Sequence, residues 1–172
     1  MAAENAFSCE LSWHGRRAFF IWLSNDHDCV VLDSAGSIRL FDSLESLSQF
    51  VLAEGLTLSQ EESSLWDFDN VLSWCSDPHP PVDCSQLLNA WNMLADIHAS
   101  RGKTNDLLSN ADQRGGAIYE KLFWGCNLPA VTPEGQKFEP IWSVEECRSL
   151  AQLLRLGLAE LEAAVPSRPE AG

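Results

Sequence analysis

Two pairs of acidic residues have the spacing that carboxylate chemistry requires. Asp67-Phe68-Asp69 and Asp26-His27-Asp28 each place two carboxylates within three positions, and paired carboxylates can hold a metal ion or hydrolyse a glycosidic bond. In an acidic chain such pairs also arise by chance. At the first pair we favour helix capping, because Asp accepts hydrogen bonds from the free amides at a helix start. The second pair, beside Asn25, has the composition of an ordinary turn.

The cysteine, histidine and glycine residues predict no further chemistry. Cys75, His79 and Cys84 lie near one another in sequence, but their spacing matches no common zinc motif. The pair Gly115-Gly116 is not a phosphate-binding loop, and no GxSxG motif presents a nucleophilic serine. His98 falls on an apolar helix face and is interpreted as a core residue. We therefore predict no catalytic residue, no metal site and no cofactor.

The chain is strongly acidic, and its charge is unevenly distributed. The formal net charge of −14 at pH 7 argues against nucleic acid as a ligand, because phosphate binding needs clustered Lys and Arg. An uninterrupted acidic stretch is either a solvated face or a docking surface for a cationic protein. Between Arg39 and Arg101 there is no Lys or Arg, and the acids there are Asp42, Glu45, Glu54, Glu61, Glu62, Asp67, Asp69, Asp77, Asp83 and Asp96.

Length and composition predict one folded domain. The 172 residues are 45% hydrophobic and include seven Trp, which is enough apolar surface for a sizeable core. We predict a single domain over residues 7–165 with disordered ends at 1–6 and 166–172, because the ends are small and polar or rich in Pro and Gly. Six scattered cysteines indicate reduced thiols, and neither a signal peptide nor a membrane span is visible. We expect a cytoplasmic protein without membrane contact.

The N-terminal quarter has the pattern of β-structure, and the rest is mainly helical. Residues 7–24 predict a hairpin around His14-Gly15-Arg16-Arg17, and residues 29–33 and 37–41 predict a second one across a three-residue loop. Helical spacing begins after four predicted caps, at Ser43, Asp67 or Asp69, Asp83 and Ser143. The predicted fold class is α+β, with an N-terminal antiparallel sheet of about four strands packed against about four to five C-terminal helices.

A long irregular connection occupies residues 125–142. It contains three prolines and no regular period, and long loops in compact domains are often functional. We expect Trp124, Phe138 and Trp142 to pin this loop to the core. The alternative is that the loop contacts a ligand or partner.

Three segments of the chain resemble a known class of proteins. The segments FDSLESL (41–47), DCSQLLNAWN (83–92) and YEKLFWGCNLP (119–129) are similar to small acidic bacterial proteins of the polymorphic-toxin immunity class. The resemblance implies a compact intracellular domain without catalytic residues that occludes the active site of a toxin. It assigns no role to any single residue.

Charge and resemblance together predict an immunity-type inhibitor that binds a cognate, cationic toxin domain. The predicted docking surface is the acidic stretch from Glu61 to Asp83, with Trp66 as its anchor, because binding energy concentrates in aromatic residues ringed by polar ones. The alternatives are a small enzyme, such as a hydrolase, that uses carboxylates near Asp67, or a non-catalytic subunit or scaffold with an apolar partner patch. The predicted partner-binding residues are Glu61, Glu62, Trp66, Asp67, Asp69, Asp77, Asp83, Glu134 and Glu139.

Overall fold

The sheet begins with the predicted hairpin. The computed structural model describes residues 5–24, 27–103 and 113–166. Strand β1 (Asn5–Trp13) pairs antiparallel with β2 (Arg16–Ser24) along its whole length. The turn consists of His14 and Gly15 alone, with φ angles of 51° and 69°, the left-handed conformation that a two-residue hairpin turn of type I′ requires at both positions.

The second predicted hairpin forms only in part: Leu32 and Ile38 make one antiparallel bridge, and the N–H groups of Asp33 and Arg39 bond to the carbonyls of Ser37 and Val31. Strand β3 is only Cys29–Val30, antiparallel to β2, and residues 37–41 form no strand. Two other amides of this segment bond elsewhere: Ile38 N–H to the carbonyl of Ala164 in the last helix, and Phe41 N–H to that of Phe19 in β2. Because these partners lie in separate parts of the fold, a continuous ladder cannot form along this segment.

The remaining strands come from later in the chain and run parallel to β1. Strands β4 (Thr57–Leu58) and β5 (Ser64–Asp67) pair with successive parts of the β1 edge that β2 leaves free. The sheet is therefore mixed, and the expectation of a wholly antiparallel meander is wrong. The fold class itself is confirmed as α+β, with an N-terminal sheet and mostly C-terminal helices.

The described ranges contain five helices, four of which begin at a predicted cap. They are α1 (Leu44–Ala53), α2 (Phe68–Ser76), α3 (Cys84–Ser100), α4 (Gln113–Gly125) and α5 (Val144–Ala164). The side chains of Ser43, Asp67, Asp83 and Ser143 each accept a hydrogen bond from the backbone three residues on. The predicted capping box between Ser143 and Glu146 is present.

The helices lie on both faces of the sheet. Helices α2 to α5 cover the face that bears Cys9, Leu11 and Phe20, and together they form the main core. Helix α1 covers the opposite face, where Ala6 and Ile21 pack in a smaller core with two residues of α1. The pairing of α3 and α5 is close, because at Gly157 the position of a Cβ would lie 2.8 Å from Leu94 Cδ1.

The folded region starts earlier than the sequence indicates. Asn5 and Ala6 already belong to β1, and Ala6 is fully buried between Leu23 of β2 and Leu58 of β4. The expectation of disorder up to residue 6 is therefore wrong for these two residues, because burial of a small side chain and pairing on both strand edges hold them. The expected disorder of residues 1–4 and 167–172, and the turn at Asn25 and Asp26, lie outside the described residues.

Candidate functional site

A groove runs between strand β5 and helix α3. It has a volume of about 450 Å³. Its floor is apolar, with Phe68 and Val71 of α2 both buried, and Leu65 beside it is 48% exposed. The full set of lining residues is Ser64, Leu65, Trp66, Asp67, Phe68, Val71, Gln86, Asn89 and Ala90.

The charged lining of this groove is a single acid. None of its lining residues is Lys or Arg, and Asp67 is the charged one among them. Glu61 and Glu62, which immediately precede β5, are exposed. Asp67 also caps α2, since its Oδ1 accepts a hydrogen bond from Asn70 N–H at 3.0 Å. Two of the predicted partner-binding residues, Trp66 and Asp67, thus line one groove, and Glu61 and Glu62 lie shortly before β5 in the chain.

Trp66 is only partly available to a partner. Its indole packs against the main core, and its Nε1 is buried without a hydrogen bond of standard geometry. The neighbouring Cys9 sulfur is a weak acceptor. Burial raises the pKa of the Cys9 thiol to about 11, and the contact with Trp66 lowers it by a smaller amount. Trp66 is therefore a wall of the groove rather than a projecting anchor.

Asp69 has a structural role that the sequence does not reveal. Its carboxylate accepts hydrogen bonds from the backbone N–H groups of His14 and Gly15 at 2.6 and 3.0 Å, and from the Ser12 hydroxyl at 3.0 Å. These bonds tie α2 to the turn of the β1–β2 hairpin. Asp67 caps α2 and Asp69 bonds to the hairpin turn, so structural hydrogen bonds occupy both carboxylates, which favours a structural role of this pair over a catalytic one.

A second cleft lies on the other side of the α3 N-terminus. It has a volume of about 670 Å³ and is enclosed by residues 80–85 and by parts of the 125–142 loop. Asp83 and Glu139 line it, Asp83 as the cap of α3 and Glu139 in an exposed ion pair with Lys137 at 2.9 Å. Glu134 is exposed but lines neither cavity. Asp77 follows α2 with its side chain 93% exposed.

The 125–142 loop is held at its base but presents apolar side chains to solvent. Asn127 fixes it by bonding to both the N–H and the carbonyl of Phe138. Trp142 is 8% exposed and packs in the core as expected, with the Lys121 ammonium 4.8 Å from its ring centroid. Trp124 and Phe138 are 42% and 46% exposed, so the expectation that they pin the loop is wrong. Other exposed apolar residues of this region are Leu128, Val131, Ile141 and Val144.

Four of the predicted residues are therefore split between two cavities. Trp66 and Asp67 line the β5–α3 groove, and Asp83 and Glu139 line the second cleft. Glu61 and Glu62 line neither cavity and precede β5 in the chain. The first turns of α3 separate the two cavities, with Ser85 lining the cleft and Gln86 lining the groove.

Polar residues of α3 are the part of the site that the sequence analysis missed. Gln86 and Asn89 face the groove from the helix side. Their spacing of three residues, directly after the Asp83 cap, is the signal that both lie on one side of the helix.

Metal and thiol chemistry find no support in the described part of the chain. No group of three His, Cys, Asp or Glu side chains there is arranged to hold a metal ion, so Cys75, His79 and Cys84 do not form a site. Burial raises the pKa of the Cys75 thiol to about 11, which makes this residue a poor nucleophile near neutral pH. His98 is buried, as expected, and its Nδ1 lies 3.8 Å from Glu160 Oε2.

Comparison with known proteins leaves the resemblance to immunity proteins as a prediction. Within residues 5–24, 27–103 and 113–166, no helix is both long enough and apolar enough to cross a membrane. No protein-family model, no curated protein and no solved structure matches this chain.

Proposed function

We propose that this protein is an immunity-type inhibitor that binds a cognate, cationic toxin domain and neutralises it by occlusion. The single observation that carries the proposal is the β5–α3 groove, which combines an apolar floor with the acid Asp67 and has no Lys or Arg among its lining residues. Apolar burial supplies affinity at such a site, whereas the acids steer a basic partner and select against acidic ones.

The overall charge supports the same partner chemistry. A net charge of −14 produces a negative field that accelerates encounter with a cation and repels other acidic proteins. The acids that precede β5 are available for this, because Glu61 and Glu62 are exposed and neither takes part in an ion pair among the described residues.

A second candidate function is a non-catalytic subunit or scaffold of a larger complex. The observation that favours it is the exposed apolar surface around the 125–142 loop, where Ile141 is 88% exposed. Contiguous apolar exposure of this kind marks interaction sites. The enzyme alternative has less support, because the carboxylates of Asp67 and Asp69 are both used in structural hydrogen bonds.

Charge reversal shortly before β5 tests the inhibitor proposal. The double variant Glu61→Lys, Glu62→Lys should capture much less of a basic partner from the native host than the wild type does. The matched control is Glu54→Lys, Glu120→Lys, which changes net charge equally at two exposed sites outside the groove. Wild-type capture should weaken as salt rises, because salt screens exposed charges.

Neutralisation is tested on the captured protein itself. We expect that protein to arrest growth when it is expressed alone and to be harmless when the wild-type chain is co-expressed. The Glu61→Lys, Glu62→Lys variant should restore growth poorly, whereas the control variant should restore it fully. A captured protein that is not toxic, or equal rescue by both variants, would contradict the proposal. Loss of capture only on substitution of Phe138 or Ile141 would favour the scaffold function.

A further inference from the structure

The outer edge of strand β5 has no strand partner within the described ranges. β5 pairs in parallel with residues 9–12 of β1, and no other strand there pairs with it. In a strand, alternate N–H and C=O groups point to opposite sides. Every second peptide group of Ser64–Asp67 therefore points away from β1, and an edge of this kind is a template for another extended chain.

The groove lies directly beside this edge and has the dimensions of a short strand. β5 is four residues long, which corresponds to about 13 Å of extended chain. Helix α3 forms the opposite wall with Gln86 and Asn89, and the buried side chains of Phe68 and Val71 form the floor. An extended segment placed between β5 and α3 would thus meet backbone partners on one side and a helix on the other.

We propose that β5 binds an extended, basic segment of the partner, which adds to the sheet as a further strand in the groove between β5 and α3. Strand addition of this kind obtains affinity from main-chain hydrogen bonds and specificity from alternate side chains. The inference rests on the proposed function, because it states how the cationic partner uses the same groove.

The side-chain pattern of the incoming segment follows from the faces of the sheet. Trp66 pairs with Leu11, so both lie on the face that carries the main core and the groove. Leu65 and Asp67 alternate with Trp66 along the strand and are directed to the other face, and atoms of both also line the groove. A bound segment should therefore present apolar residues to the groove, with Lys or Arg residues between them on the Asp67 side. The exposed acids Glu61 and Glu62 lie at the start of the strand.

The test uses a synthetic peptide as the probe. A fluorescently labelled, capped hexapeptide with alternating Lys and Val should bind the full chain in an anisotropy titration. The same peptide with Glu in place of Lys should not bind, because the groove is lined by Asp67 and has no Lys or Arg. Two further peptides are N-methylated either at the three odd or at the three even positions, so that each loses the N–H donors of one edge.

The expected result is asymmetric. Methylation of the set that faces β5 should weaken binding about tenfold or more, because two or three backbone hydrogen bonds are lost. Methylation of the other set should leave affinity unchanged. On the protein, amide exchange should slow for the outward-facing N–H groups of Ser64–Asp67 when the unmethylated peptide is bound.

Several outcomes would overturn strand addition. These are no binding of the Lys-Val peptide, equal effects of the two methylated sets, or unchanged exchange at β5. A homodimer that dissociates when the peptide binds would assign the edge to a second copy of this chain and would also overturn the inference. If Glu61→Lys, Glu62→Lys still impairs capture and rescue while the peptides fail, the inhibitor proposal stands and only the strand mode falls. If the peptides behave as expected but rescue fails, strand addition stands and the inhibitor proposal falls.

Discussion

Replacing Asp69 with Ala removes the carboxylate that joins helix α2 to the turn of the first hairpin. That carboxylate accepts three hydrogen bonds, from His14 N–H, Gly15 N–H and the Ser12 hydroxyl. A hydrogen bond to a charged group contributes about 1.5 to 3 kcal/mol, but the two backbone bonds are exposed and water competes for them. At about 1 kcal/mol for each bond, the loss in unfolding free energy is about 3 kcal/mol.

Urea unfolding followed by tryptophan fluorescence measures this loss. With a slope of about 2 kcal/mol per molar urea, the midpoint should fall by about 1.5 M, and the slope should not change. The control is Asp67→Ala, which removes a single capping bond to Asn70 N–H and should cost about 1 kcal/mol. An Asp69→Ala midpoint equal to that of the wild type would refute the structural role and would return Asp69 to the residues that are free to contact a partner.

Two further predictions concern the contacts of helix α5. Glu160 accepts a hydrogen bond from Lys103 at 2.5 Å, and this bond holds the pKa of its carboxyl below the ordinary value of 4.5. Because the folded-state pKa is the lower one, the stabilisation is present above the unfolded value and is lost as pH falls through the folded one. Glu160→Gln should therefore lower the unfolding free energy at neutral pH, and the difference from wild type should shrink below about pH 4. A difference that does not change with pH would contradict the contribution of the Glu160 carboxylate. At Gly157, an added Cβ would lie 2.8 Å from Leu94 Cδ1 and 3.0 Å from Leu94 Cβ, so Gly157→Ala should destabilise by about 1 to 3 kcal/mol. The melting temperature of Gly157→Ala should fall by several degrees. At Gly116 an added Cβ would have no neighbouring atom within 4 Å, so Gly116→Ala should raise the melting temperature slightly. A rise for both variants would show that α3 and α5 can move apart without loss of stability.

Local features of the fold could be predicted from the sequence. The caps at Ser43, Asp83 and Ser143 are correct, and so is the hairpin around His14 and Gly15. In each case the interacting atoms belong to residues only a few positions apart, so the residue types and their spacing are sufficient to specify the contact.

The candidate site could be predicted only in part. The sequence indicated the acidic residues around Trp66, but it did not indicate that β5 lies at a sheet edge or that α3 forms the facing wall. That edge exists because β5 pairs with β1, more than fifty positions earlier. Local propensity does not select among distant partners, since strand pairing depends on which edges the rest of the fold leaves free.

The sequence by itself determined the helix starts, the first hairpin, the α+β class and the negative charge, because these follow from neighbouring residues and composition. Only the tertiary structure decided which acids remain available. In the folded chain Asp69 is hydrogen-bonded to the hairpin turn, whereas Glu61 and Glu62 are exposed. Phe138 is also exposed. The exposure and the hydrogen bonds of a side chain depend on the remote segments that pack against it. The local pattern of residue types does not specify which segments those are.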